Sequence, residues 1–467
     1  MKKSNIRNIY TIFVFVALAA FDNIIIGLFP PLFSSIAKDL KVPISSLGIV
    51  SAINILVTAL SSILWGYAAG KYNRKKLIMF GTIVWSVSVF ITSRSNNYVE
   101  LLISQICTGV GLGCIASIGF SVITDFIPYR YRGMILSLWG MSQGLGGILG
   151  ALMASLIGAT VSWRKPFEIV SIIGLLLTFL YIFVEEPVLG ASDPELKNLI
   201  KDGSEYNYNI KLSEVKGIIS KKSNILLLLQ GFFMNITTGS LIWLPTLYIA
   251  KIQSQGYDNK TAIIAAGYLY AIFQLGGLSS AFFGYLGDIV QRKSYKGRAL
   301  ITSFFVILTM PLYMTMFAIP MNKLSLDNSS TYAILLSIIK QIFINPWMIG
   351  IFILALLASA TQSSNTPNWL ALITDVNLPE HRGAAFSVAN LANSLGRTIG
   401  NVGVGYILAL VSIFKGEPNN YIITLIAFQI FLVPSALCYF KMANTNAIDI
   451  TKVKETLTKR SKMRKNS

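Results

Sequence analysis

Histidine occurs once in this chain, as His381, and cysteine three times, as Cys107, Cys114 and Cys438. No spacing among them suits a zinc site or a disulfide framework, and the three cysteines stand in apolar stretches as inert residues. There is also no serine or cysteine triad, no metal-ligand cluster and no Gly-rich phosphate loop ending in Lys and Ser or Thr. Enzymatic activity and ATP-driven pumping are therefore not expected, and no catalytic residue, metal or cofactor is assigned. Charge is scarce too: 13% of the 467 residues are charged and 54% are apolar, against roughly 25% charged in soluble domains. So little charge cannot clothe two or three soluble domains in a hydrated surface, and a polytopic membrane protein is expected.

Apolar stretches of about 20 residues recur, the length that carries a helix through a hydrocarbon core of about 30 Å. About twelve are present, near 9–33, 46–69, 77–94, 100–123, 133–158 and 167–187, then 224–250, 261–287, 299–320, 346–374, 383–412 and 420–441. The fold class expected is all-α. An even number of spans leaves both termini on one side. Roughly 28 of the 39 Lys and Arg fall on that side and about 10 on the other, with Arg397 inside a span, so the termini are expected in the cytoplasm and the protein in the cell membrane. The net charge of +19 is then topology rather than a sign of nucleic-acid binding. Lys2, Lys3 and Arg7 before an apolar run also fit a secretory signal cleaved near Ala20, but the run continues past Asp22, as a span does.

A polar stretch over 188–223 divides the spans six and six. It separates a first half, 1–187, from a second half, 224–441, which a basic tail, 442–467, follows. The halves repeat. ITDFIPYRYRGMILSLWGMSQGLGGILG, from Ile123, aligns without a gap with ITDVNLPEHRGAAFSVANLANSLGRTIG, from Ile373, pairing Asp125 with Asp375, Arg132 with Arg382 and Gly146 with Gly396. A second pair, WGYAAGKYNRKK from Trp65 and FGYLGDIVQRKS from Phe283, joins the end of a span to a basic loop in each half. The extra length of the second half falls at residues 321–345, where Tyr332 to Phe343 reads as an interfacial helix or as a short re-entrant segment.

Parallel six-helix repeats are a known transporter architecture. Through AAFDN around Asp22, GYAAGKYNRKKLIMFG followed by Trp85, TDFIPYRYRG and TDVNLPEHRGAAFSV, the chain resembles the major facilitator superfamily over nearly its whole length, and within it the Spinster-like group. The resemblance implies a monomeric secondary carrier in the lipid bilayer. Its two halves rock about a mid-membrane cavity to move a small organic or amphiphilic solute, lysolipids included. Two departures stand against the group's pattern: Gln105 and Leu112 occupy the places of an arginine and a glutamate in span four, and Gly70 stands where the second half has Asp288. A channel, or a receptor that keeps the fold without transporting, remains the alternative.

Polar groups inside the spans are the candidate substrate and coupling residues. Asp22, beside Asn23, lies halfway along span one, and the resemblance implies a part in proton coupling or substrate binding. Arg397 stays charged and needs an anionic substrate group or a carboxylate, with snorkelling to an aqueous edge as the structural reading. Gln105, Asn235, Asn365 and Asn368 are amides in spans that the superfamily uses for its cavity, although a lone amide is also interhelical glue. Gln274 and the aromatics Phe232, Phe233, Trp243 and Trp369 are weaker candidates. At the terminal-side loops, Gly66, Arg74, Asp125 and Arg132 in the first half and Gly284, Asp288, Arg292, Asp375 and Arg382 in the second form the expected gate. There glycine admits close helices and the opposite charges latch.

Overall fold

The computed structural model describes residues 2–69, 72–119, 144–184 and 220–465, together with Val122 and Gly217. Helices make up its regular structure, and no strand occurs among the described residues. In hydrocarbon no water can satisfy backbone N–H and C=O groups, and a helix satisfies them within one segment.

The first half comprises α1 (Lys2–Leu40), α2 (Ile44–Ala69), α3 (Arg74–Arg94), α4 (Tyr98–Gly119), α5 (Gly144–Gly158) and α6 (Arg164–Tyr181). The second comprises α7 (Lys222–Gln253), α8 (Asn259–Lys293), α9 (Gly297–Ala318), a short α10 (Thr331–Ile344), α11 (Pro346–Val376), α12 (Pro379–Val411) and α13 (Asn419–Phe428 and, beyond a tight turn, Leu432–Lys465). Nine helices among the described residues are long and apolar enough to cross a membrane. Helices α1 and α6 run the same depth, tied at one end by Tyr10 Oη donating to Leu180 O at 2.6 Å and at the other by Arg164 reaching Asp39 at 2.6 Å. The side where α1 begins and α13 ends is called the terminal face here, and the opposite side the distal face. The basic tail is not a separate element. Helix α13 continues through Lys441 and stays docked, with Asn446 Nδ2 donating to Tyr295 O at 2.6 Å and Ser223 Oγ to Thr445 Oγ1 at 3.0 Å.

Helix ends leave backbone groups unpaired, and the chain supplies caps for them. Asn73, Asn97, Asp258, Ser330 and Asn345 accept from first-turn N–H groups of α3, α4, α8, α10 and α11. Lysines close the other ends, where cations are favoured. Lys75 Nζ donates to Ile182 O and Val184 O, both at 2.7 Å, beyond α6, and Lys251 Nζ to Phe317 O at 2.8 Å and Ile319 O at 2.6 Å at the end of α9. Since Lys251 is 3% exposed, Lys251→Met leaves two carbonyls without donors. At about 1–3 kcal/mol for an unsatisfied buried group, a clear fall in melting temperature in detergent is expected, and an unchanged melting curve would refute the capping role. At the distal face, burial tends to raise the Asp39 carboxyl, but hydrogen bonds from Arg164 and Trp163 outweigh it and hold the group below its ordinary value. The tie is therefore present at neutral pH and is lost as pH falls through the lowered value.

The internal repeat is realised in the packing. In the first half, a Cβ on Gly146 would lie 2.3 Å from Ala20 O and one on Gly150 2.3 Å from Ile24 O. In the second half the repeat partners Gly396 and Gly400 stand 2.2 Å from Phe232 O and 2.0 Å from Ile236 O by the same measure. Thus α5 crosses α1 as α12 crosses α7, because only glycine lets the backbones approach so closely.

Between the halves, α2 packs on α12 and α5 on α8. The hydrogen bonds and side-chain packings seen there run from mid-depth to the distal face. Asn401 Nδ2 donates to Gly48 O at 3.1 Å and Thr398 Oγ1 to Ala52 O at 3.3 Å. Trp243, fully buried, donates Nε1–H to Asn401 Oδ1 at 2.9 Å, meets Phe33 edge-on at 5.4 Å, and covers Gly48 so closely that a Cβ there would lie 2.6 Å from its ring. Toward the terminal face α2 instead presents exposed side chains, Leu64 at 71% and Tyr67 at 67%. The described residues therefore join the halves distally.

Candidate substrate cavity and terminal-face gate

The middle of α12 carries Arg397, one helical turn on the terminal side of Asn401 and hence directly beneath the distal joint. Its Nε is buried and has no hydrogen-bond partner, and its guanidinium is within electrostatic reach of Tyr270 on α8. One turn from Tyr270, Gln274 lies over Gly147 of α5, where a Cβ would stand 3.3 Å from Gln274 Nε2. The glycine leaves room for the amide to cross from one half to the other. Arg397, Tyr270 and Gln274 thus form a polar group at mid-depth on the seam between the halves, with guanidinium, phenol and amide donors to offer an anion. Tyr270 was not legible in the sequence as a site residue; its spacing of four from Gln274 on one helix face was the available signal.

Asp22 has its backbone in α1, and its side chain lies outside the described residues. The backbone level is informative nonetheless. Gly146 sits against Ala20 O and Asn23 Cβ, and the adjacent Gly147 against Gln274, so the turn bearing Asp22 and Asn23 shares the depth of the α8 polar residues. Asn23 is half-buried and engaged in contacts of its own.

The remaining amides bind within their own halves. Asn54 Nδ2 donates to Gln105 O at 2.8 Å and to Gln105 Oε1 at 3.2 Å, and Gln105 Nε2 to Thr92 Oγ1 at 2.9 Å, tying α2, α3 and α4. Asn365 Oδ1 accepts from Gln230 Nε2 at 2.8 Å and Tyr439 Oη at 2.7 Å, joining α7, α11 and α13. Asn235 Nδ2 returns to Gly231 O of its own helix at 2.8 Å. Asn368 Nδ2 donates to Phe283 O at 3.3 Å where α8 crosses α11, and its Oδ1 lies against Gly287, next to Asp288. Among the hydrogen bonds of the described residues, none joins these amides to Arg397.

At the terminal face of the second half, Asp288 pairs with Arg298, a residue the sequence reading did not single out. Arg298 lies in the first turn of α9 with its side chain 7% exposed, and its second arm stands 4.0 Å from Asp375 Oδ2. Gln291 completes the cluster, donating Nε2–H to Asp375 Oδ2 at 3.5 Å and accepting from Arg298 N at 3.2 Å. Two carboxylates around one buried guanidinium hold the α8–α9 turn to the end of α11. Gly284 and Gly287 lie on the α8 face against Pro367 and Asn368, while Arg292 is exposed. In the first half Arg74 likewise stands in the first turn of a helix, α3, and is 9% exposed and engaged. Gly66, also exposed, faces Ser117, 2.8 Å from where its Cβ would be. Gly70, Asp125 and Arg132, and the Arg382 side chain, lie outside the described residues.

Residues 12–339 match the sequence profile of the Major Facilitator Superfamily. The sphingosine-1-phosphate transporter SPNS2 of Danio rerio is 26% identical over 223 residues, 47% of this chain and 43% of that protein. The protein spinster of Drosophila melanogaster is 22% identical over 287 residues, 60% of this chain and 46% of that protein, so the chain spans less than half the length of either relative. Among solved structures, a bacterial homologue of the human lysosomal transporter Spinster, inward-facing and unoccupied, superimposes with a TM-score of 0.70 at 19% identity, covering 95% of this chain and 98% of that one.

Proposed function

Because the chain belongs to the Major Facilitator Superfamily and is most like its Spinster-like group, we propose that it is a monomeric secondary transporter carrying a small organic or amphiphilic solute, lysolipid-like molecules included, across the cell membrane by alternating access. The bias of Lys and Arg toward the terminal side supports a cytoplasmic terminal face. One observation carries the reading: the halves meet on the distal side through Trp243, Asn401 and Gly48, and an unpartnered arginine nitrogen lies at mid-depth one turn beneath that joint. Closed on one side, with a charged group at the closed end, the arrangement suits a carrier caught facing the cytoplasm.

Arg397 with Tyr270 and Gln274 receives the anionic part of the solute, and Asp22, on a turn of the same depth, couples transport to protons. In vesicles, Asp22→Asn is expected to abolish the pH dependence of transport while leaving solute exchange intact, and an unchanged pH profile would remove the coupling role. Counterflow in proteoliposomes, screened with lysolipids, sugars, amino acids and drugs, tests the reading as a whole. Exchange supports a carrier, conductance without counterflow a channel, and neither a receptor.

A further inference from the structure

We infer that α10 lies in the distal leaflet of the bilayer, with Tyr332, Leu336, Ile339 and Phe343 seated among the lipids. Two stripes of the helix are apolar. Ile334, Ile338 and Ile342 are buried against the distal parts of α8 and α11, and on the opposite side Tyr332 is 65% exposed, Leu336 48%, Ile339 42% and Phe343 78%. The polar residues of the helix do not make up a face for water. Gln341 is buried and accepts from Asn345 Nδ2 at 3.0 Å, and Ser337 Oγ accepts from Asp327 N at 3.0 Å. Lys340, exposed, has a stem long enough to snorkel.

Depth supports the same placement. Gly276 of α8 packs against Leu356 O and Ser359 of α11, near the middle of both helices. From that level Tyr268, which donates Oη–H to Thr331 O at 3.2 Å, is about 12 Å toward the distal face and Pro346 about 15 Å, counting 1.5 Å per residue. Half the hydrocarbon thickness is about 15 Å. Both ends of α10 therefore sit at the hydrocarbon edge, and the helix runs along that edge rather than out into water or back through the core. Exposed apolar side chains also follow at the end of α10 and on α11: Ile344, Trp347, Ile353 and Leu357 are 58%, 40%, 48% and 48% exposed. An apolar surface next in the chain to such a helix, and carrying Tyr and Trp at the interface level, fits lipid as its occupant.

The test uses the full chain in nanodiscs of phosphatidylcholine and phosphatidylglycerol, with a nitroxide on Phe343→Cys and the spectrum of the chain lacking that substitution subtracted. Oxygen should broaden the label more than a water-soluble nickel chelate does, placing it about 5–10 Å inside the headgroup boundary, whereas a label on Asn328→Cys in the preceding loop should show the reverse. Nickel access at Phe343 equal to that at Asn328 would overturn the inference. So would a label shielded from both agents and showing dipolar coupling to a second label, which would make the stripe an interface between copies of the chain. Both substituted residues are exposed, so loss of fold is not expected to obscure the result.

Discussion

Arg397→Ala is expected to weaken binding of an anionic amphiphile at least about tenfold, because a charge-assisted hydrogen bond contributes about 1.5–3 kcal/mol and 1.4 kcal/mol corresponds to a factor of ten. A zwitterionic amphiphile of the same chain length should lose less. Among the described residues the guanidinium is set apart from carboxylates: its Nε is buried and unbonded, and its electrostatic neighbour is a phenol. Melting temperature separates this role from a structural one. Removing one member of a buried ion pair costs about 3–5 kcal/mol through the charge left behind, whereas removing a guanidinium held ready for a ligand should leave the apo protein as stable as before or more so. Retained affinity together with a large loss of stability would return Arg397 to a structural role.

The second large effect is expected at Gly48. A Cβ at that position would stand 2.6 Å from the ring of Trp243, which is fully buried, packs edge-on against Phe33 and is held by its hydrogen bond to Asn401. Overpacking of this kind costs about 1–3 kcal/mol, and here the cost falls on the conformation in which the distal ends are joined. Gly48→Ala and, more strongly, Gly48→Leu should therefore shift the population toward distal opening, by about 5–150-fold for that range of energies. Reagents added from the distal side should then label cysteines placed on the Arg397 level, and net transport should fall as one end of the cycle becomes hard to reach. Unchanged distal labelling in a well-folded Gly48→Leu protein would show that the joint is not the gate.

Both predictions concern the seam between halves, which is where the sequence was least legible. The spans and the repeat could be read directly, since apolar length marks a crossing and the Gly146/Gly396 and Gly150/Gly400 register marks equivalent helix contacts. Arg397 was visible because a cation inside an apolar span is costly in any fold. Tyr270 and Trp243 were harder, because aromatic residues occur equally at lipid surfaces, cavities and cores. Trp243 does not line an open cavity; it is a fully buried wedge whose hydrogen-bond partner, Asn401, lies 158 residues away in the chain. Arg298 was missed because the repeat register pairs Arg74 with Arg292, six residues before Arg298, which stands outside the repeated motif at the start of α9. Helix α13 beyond Lys441 read as a tail because its composition is polar, and only the folded chain brings Asn446 to Tyr295.

The central claim is that the halves move as units about the seam, so that opening at one face closes the other. Pulsed electron–electron resonance on two spin-labelled pairs in nanodiscs tests it most directly: Lys41 with Phe414 across the distal side, and Tyr67 with Lys293 across the terminal side. Comparing the parent chain with Gly48→Leu, the distal distance should lengthen while the terminal distance shortens. If the distal distance grows and the terminal distance stays fixed or grows with it, the halves do not rock about a shared cavity and the account is wrong.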